Sequence, residues 1–407
     1  MEKNVEIAVN AYKNTSFYRA HYAEFMRKHG GITKDNFSDL PILQKKDVQD
    51  NWKSLLDNSS SSYSKAVQYM HTSGSTGRPL SIMWEKSDYI RSNLALWVIR
   101  KNFYHIMPSD SYCTFHSVAY EAGIPTRNEV YIYNQGRTLT LGRYRYTEEV
   151  LNDYTHYITD FQPAWIQGPP SVLYCLYRFL KDRHVRFPSL KYIELNGEYV
   201  EPHIWKELKE YFNVPVANLY GAIEFNGIAI TCPHGHMHIL SDNVYVELAS
   251  IQGMEQLIIT SLSNHRMPLI RYAIGDVGRL IDCPCHCGLK QELILTRGRV
   301  HELLELTNGN VIDPTVFTNV VRDMNKERCL VQQYYVRIRR NELALQLLSN
   351  PEDVLAIQRK KAYYEGIVNQ LIHHAVPVVI EVGTRINYMN VEKKPTYIYH
   401  EEDKPCL

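Results

Sequence analysis

Apolar residues recur at helical spacing along the first segment, MEKNVEIAVNAYKNTSFYRAHY, and residues 1–70 read as helices ending in the serine run SSSSYS. SDYIRSNLALWVIRKNFY (87–104) keeps the same period, with Ser87 placed to cap its start. TEEVLNDYTHYITDF and PPSVLYCLYRFLKDRHV predict two further helices. Short apolar or β-branched runs, PAWIQG, LKYIELNG and VPVANLYGA, predict strands among them. Helix and strand thus alternate from about 90 to 230, the pattern of an α/β domain with a mostly parallel sheet.

After Cys232 the pattern changes to VYVELAS, EQLIITSL, MPLIRYAIGDVGRL and ELILTRG, short strands and turns that predict a β-rich subdomain. A third texture begins near Arg299. There VIDPTVFTNVVRDM predicts a helix, VQQYYVRIRR and ELALQLLS a hairpin, PEDVLAIQRKKAYYEGIVNQLIHH a helix and PVVIEVGTRINYM a strand. That order predicts a small α+β domain of about 100 residues. The expected division is a large N-terminal domain over 1–298 and a small C-terminal domain over 299–407.

At 407 residues and 44% hydrophobic composition, the chain can bury at least one large core. A net charge of +1 with no long charged block gives no reason to expect a nucleic-acid partner. The N-terminus lacks a basic region followed by an apolar one, and no apolar run reaches about 18 residues. A soluble, cytoplasmic protein without a membrane span is expected, its oligomeric state open. Of eight cysteines, Cys283, Cys285 and Cys287 stand at alternate positions, which favours metal over disulfides in a reducing compartment.

The stretch HTSGSTGRPL (71–80) combines Gly74 and Gly77 with the hydroxyls of Thr72, Ser73, Ser75 and Thr76 and the charge of Arg78. It is not a Walker A loop, since no Lys-Ser/Thr pair follows Gly77; alone it is as compatible with a flexible connection as with a phosphate cradle. Downstream, in order, come NLYGAIEFNG (218–227), IRYAIGDVGRL (270–280) and TRGRVHELLELTNGNVIDP (296–314). This ordered set resembles the core motifs of the adenylate-forming superfamily of acyl-CoA synthetases, luciferase-type enzymes and peptide-synthetase adenylation domains. NTSFYRAHY, DLPILQKKDVQDNW and MPLIRYAIGDVGRL further resemble phenylacetate-CoA ligase-type enzymes and their capsular-biosynthesis relatives, over nearly the whole chain.

The resemblance implies a set of roles. Residues 72–78 would hold the β- and γ-phosphates of ATP, with Arg78 where relatives more often have Lys. Tyr220 and Gly221 would lie against the adenine, beside Gly197 and Glu198. Glu224 would hold Mg²⁺, a hard cation that takes oxygen ligands. Asp276 would accept from the ribose hydroxyls, and Arg299 would donate to ribose or phosphate. A carboxylate would attack the α-phosphate, pyrophosphate would leave, and a thiol or amine would then displace AMP. The C-terminal domain would swing about a hinge near 299–302, where His301 stands in place of the family's usual acidic residue, with Glu302 next. The family's C-terminal lysine falls to Lys393 or Lys394 in MNVEKKPTYIYHEEDKPCL, without the usual glycine context.

TCPHGHMHIL offers Cys232, His234, His236 and His238, and DCPCHCGL offers Cys283, Cys285, His286 and Cys287. Thiolate and imidazole together suit Zn²⁺. The resemblance selects Cys232, His238, Cys285 and Cys287, with Cys283 and His236 as competitors; four ligands filling the shell and no carboxylate base nearby predict a structural zinc. Family geometry places the acyl group beside His116, Tyr120, Gln167, Gly168 and Ala222, and a small aryl or polar carboxylic acid is expected there. Three readings follow: an acid–CoA ligase, an enzyme loading a carrier protein's phosphopantetheine arm or an amine, and a non-catalytic nucleotide binder.

Overall fold

The computed structural model describes residues 2–57, 59, 67–71, 80–115, 130–133, 136–141, 148–251, 254–282, 284–299, 304–305, 311–312, 315–324, 330–331, 333–339, 342–349, 351–372, 376–384 and 398–400. The N-terminal helical stretch is broken into Lys3–Asn14, Ser16–His21 and Ala23–His29. The break falls at Thr15, whose backbone is extended and whose hydroxyl accepts from Tyr18 N–H, capping the second helix. A short helix over Lys45–Asn51 follows.

The expectation of helix throughout 1–70 fails at its end. Val67–His71 is a strand (β1) paired antiparallel with Ser81–Glu85 (β2), so His71 faces Ser81 across the ribbon. β-Branched and aromatic residues there favour an extended partner over a helix. Ser87 is not the cap of the next helix either. That helix runs over Lys86–Tyr104, so Ser87 lies inside its first turn; it ends at His105, which adopts a left-handed conformation.

Twelve strands form one sheet: Tyr112–Phe115 (β3), Val130–Tyr133 (β4), Thr138–Leu141 (β5), Trp165–Gly168 (β6), Tyr192–Asn196 (β7), Val216–Ala222 (β8), Asn226–Thr231 (β9), Met237–Ile239 (β10), Val244–Ile251 (β11), Met254–Ser261 (β12), Tyr272–Asp282 (β13) and Gln291–Arg299 (β14). Their order is β11-β12-β13-β14-β10-β9-β8-β7-β6-β3-β5-β4. Strands β5, β3, β6, β7 and β8 run parallel. From β8 to β11 every pairing is antiparallel, so the β-rich part continues the parallel part within one sheet.

Alternation along the parallel strands explains the two cores. Cys113, Leu139, Ile166, Ile193 and Leu195 face the helices Glu148–Phe161, Pro170–Asp182 and Pro202–Phe212. Tyr112, Trp165 and Tyr192 face the opposite way, into the cluster built with the helix Lys86–Tyr104. The helix Pro202–Phe212, absent from the periodicity reading, starts on Pro202 and stops at left-handed Asn213.

The C-terminal texture forms a separate four-stranded sheet, Val378–Gly383 (β19), Glu342–Leu348 (β18), Gln333–Arg339 (β17) and Ile398–His400 (β20) in that order. Its own core gathers Phe317, Val320, Leu345, Ile357, Val368 and Ile380. The helix expected from residue 311 begins at Thr315, because Val311–Ile312 (β16) pairs with Leu304–Glu305 (β15).

Candidate functional site

The parallel strands end together, and ligands of open α/β sheets bind at such carboxyl ends. Gly168 closes β6, Gly197 follows β7 at φ +77°, and Ala222 closes β8. Glu198 lies next to Gly197, half-buried. At the end of β8 the chain reverses through Ala222–Phe225. Only glycine fits at Gly221, where a Cβ would stand 2.5 Å from Asn226 O. Asn243, itself buried, fixes the reversal by donating to Phe225 O at 2.7 Å and Gly227 O at 2.6 Å. Asn226 donates to Ser92 Oγ at 2.7 Å, tying the reversal to the covering helix. Glu224 is thereby held in a rigid turn and nearly buried.

Tyr220 and Asp276, 56 residues apart, meet here: the phenol donates to Asp276 Oδ2 at 2.7 Å. Across the ladder, Asp276 is the backbone partner of Arg299, beside a bulge in β13. Three separate motifs are therefore brought together within one sheet, Tyr220 and Asp276 through their side chains and Asp276 and Arg299 through backbone register.

The strand bearing Asp276 is positioned from the N-terminus. Tyr18, fully buried, donates to Pro268 O at 2.9 Å and accepts from Ile270 N–H at 3.0 Å. Leu43 N–H donates to Arg271 O at 3.0 Å, and Ala273 N–H returns a bond to Leu43 O at 2.9 Å. Arg271, in a left-handed conformation, bonds Glu247 and the Leu40 carbonyl. These bonds join NTSFYRAHY and DLPILQKK to MPLIRYAIGD.

The second constellation is the cysteine–histidine cluster. Ligand atoms of Cys232, His238, Cys285 and Cys287 lie within 4.8 Å of one another. Cys232 Sγ is 3.7 Å from Cys285 Sγ, and Cys287 Sγ is 3.3 Å from His238 Nε2. His238 Nδ1–H donates to Gln291 O at 2.8 Å, leaving Nε2 as the free lone pair that a metal requires. Gly235 and Gly288, both with positive φ, turn the two knuckles back on Cys232 and Cys285. Burial raises the Cys285 thiol, but hydrogen bonds from Cys287 N–H and its other neighbours outweigh that and bring it down to about 6. Burial pushes Cys287 up to about 12. His236 is not in the group: its Nδ1 pairs with Glu292 Oε2 at 2.9 Å. A carboxylate does stand beside the knuckles, contrary to expectation, because Glu292 is the cross-strand partner of His238.

A model of the family described as AMP-binding enzyme matches residues 21–250, more than half of the chain. The chain belongs to that family. Protein CapK of Staphylococcus aureus is 25% identical over 65% of this chain and 58% of its own length. A phenylacetate-coenzyme A ligase of Thermus thermophilus is 29% identical over 45% and 44%, and one of Escherichia coli 24% identical over 77% and 73%. The chain spans about half the length of the first two of these curated relatives. Among solved structures, 2-hydroxyisobutyryl-CoA ligase in the postadenylation state superposes with a TM-score of 0.70 at 16% identity, over 98% of this chain and 88% of that one. Anthranilate CoA ligase AuaEII gives 0.52 at 15% identity, over 80% and 65%. These structural likenesses establish the fold.

In this family member, Thr72, Ser73, Gly74, Ser75, Thr76, Gly77, Arg78, His116, Tyr120, Cys283, His301, Glu302, Lys393 and Lys394 lie outside the described residues, as does the Arg299 side chain. Periodicity and motifs missed the buried pair of Arg100 and Glu194. Arg100 Nε donates to Glu194 Oε2 at 2.8 Å and Nη2 to Oε1 at 2.5 Å. Tyr192 OH donates to Oε2 at 3.0 Å, and the guanidinium lies 4.6 and 5.0 Å from the Trp97 and Trp165 rings. No signal in the linear sequence joins residues 94 positions apart.

Proposed function

We propose that this chain activates a carboxylic acid with ATP and passes the acyl group to a thiol. The observation that carries the reading is the convergence of Tyr220, Asp276 and Arg299 beside the carboxyl ends of the parallel strands. Asp276 is placed to accept from ribose hydroxyls, and Tyr220 offers an aromatic face next to it. A carboxylate oxygen attacks the α-phosphorus of ATP, the bond to the bridging oxygen breaks, and pyrophosphate leaves with its electron pair. The acyl carbonyl is then attacked by a thiolate, and AMP leaves. Residues 72–78 would grip the β- and γ-phosphates, and Lys393 or Lys394 would offset charge in the first step. Glu224 suits Mg²⁺, which when bound neutralises phosphate charge.

Coenzyme A is our preferred acceptor, a carrier's phosphopantetheine arm the alternative. Domains divide near residue 298, with a hinge at 299–302. Pyrophosphate release dependent on an added acid tests the first step. Supplying CoA or a phosphopantetheinylated carrier to the preformed adenylate separates the acceptors.

We further propose that Cys232, His238, Cys285 and Cys287 hold a structural zinc. The three sulfurs, one imidazole and the tautomer fixed by Gln291 fit a four-coordinate site. The purified protein is expected to carry one zinc per chain and to lose thermal stability on chelation. A metal-free protein whose melting temperature ignores chelator and zinc alike contradicts the assignment.

A further inference from the structure

The face of the parallel strands that meets the helix Lys86–Tyr104 carries polar side chains without hydrogen-bond partners among the described residues. Register places Thr140 (β5), Thr114 (β3), Gln167 (β6) and Glu194 (β7) in one row across the sheet. The row before it is Thr138, Tyr112, Trp165 and Tyr192. Thr140 is 2% exposed, and its hydroxyl has no hydrogen-bond partner among the described residues. Thr138 Oγ1 and Trp165 Nε1, in the row before, are buried in the same condition. Thr114 and Gln167, half-buried, make no side-chain hydrogen bond among the described residues. An unmade hydrogen bond in a buried group costs about 1–3 kcal/mol, so several together on one face call for a partner.

The chemistry of that partner is bounded by Glu194. Both of its oxygens are occupied by Arg100 and Tyr192, and Arg100 is closed in between Trp97 and Trp165. The pair neutralises itself and offers no charge to a ligand. What remains is two hydroxyls and a primary amide, groups that both donate and accept. Gln167, Thr114 and Thr140 each stand one residue before the carboxyl end of their strand, so the row lies just inside the end of the sheet where the candidate site is.

We infer that Thr140, Thr114 and Gln167 receive a neutral hydrogen-bonding substituent, a hydroxyl or an amine, on the carboxylic acid. This rests on the adenylation reading above and narrows its substrate to a polar acid rather than an unsubstituted ring or alkyl chain. A second carboxylate is rejected, since Arg100 is committed to Glu194. A site built to bond such a group discriminates strongly against the analogue lacking it.

The test compares acid-dependent pyrophosphate release for benzoate against its hydroxy and amino derivatives, for phenylacetate against its hydroxy derivatives, and for short alkanoates against hydroxyalkanoates. The wild-type protein should favour at least one substituted acid over its parent by tenfold or more in kcat/KM. Thr140→Val, which preserves side-chain shape, and Gln167→Leu should collapse that ratio toward one by slowing the substituted acid, with KM for ATP unmoved. A wild-type protein that prefers the parent acids, or variants that keep the full ratio, overturn the inference and leave the row to bound water. Pyrophosphate release with none of the acids overturns the adenylation reading itself, a separate result.

Discussion

His265 takes two contacts from one carboxylate: its backbone N–H donates to Asp88 Oδ2 at 2.8 Å, and its ring Nδ1 lies 3.4 Å from Asp88 Oδ1. The Asp88 hydrogen bond raises the imidazole above its ordinary range, and partial burial only partly opposes it. A histidine raised on folding stabilises the protein fully below its unfolded value of about 6.5, and that contribution disappears as pH climbs through the folded value. The side chain is 41% exposed, so the contribution should stay below about 1 kcal/mol. Denaturant titrations should show wild type more stable than His265→Gln near pH 6, with the gap closing toward pH 8. A gap that does not change with pH would contradict the assignment. Residues of this kind divide by legibility. Tyr220, Asp276 and Arg299 were singled out because each sits in a glycine-containing motif whose order along the chain resembles that of the adenylate-forming enzymes. Thr140, Glu194 and Arg100 were not, because they look like ordinary strand and helix positions until register places them side by side.

At the scale of elements, the N-terminal helices act as a clamp on the strand that carries Asp276. Tyr18 is the joint: one phenol serves both Pro268 O and Ile270 N–H inside the core. Tyr18→Phe leaves a buried donor and a buried acceptor unpaired, a loss of roughly 1–3 kcal/mol. The expected signature in chemical denaturation is a lower midpoint with an unchanged slope; an unshifted midpoint would mean that water or another group replaces the phenol. Helices with strong periodicity were legible, Glu148–Phe161 and Pro170–Asp182 among them. The ribbon of β1 and β2 was not, since its stability comes from a partner ten and more residues away and not from local pattern. The motif NTSFYRAHY was noticed through resemblance alone. Its physical purpose became visible only with residues 268–273 packed on it.

Across the whole molecule, one twelve-stranded sheet brings the strands of Tyr220, Asp276 and Arg299 and the cysteine knuckles next to one another. β9, which follows the Glu224 turn, runs directly into Cys232, and Tyr104 reaches from the covering helix to the carbonyl of Thr231. The cysteine–histidine cluster therefore lies at the far end of the strand that begins at the proposed nucleotide site. The change of texture after Cys232 was legible, whereas the continuity of both parts in a single sheet depends on long-range pairing that periodicity does not encode. Among the described residues, no helix is long and apolar enough to cross a membrane. The most direct test of the account is isotope exchange between pyrophosphate and ATP in the presence of a carboxylic acid. Exchange should depend on the acid, and Asp276→Ala should lower kcat/KM for ATP by tenfold or more. ATP that binds tightly yet exchanges with none of the acids would contradict carboxylate activation and leave a nucleotide-binding protein in its place.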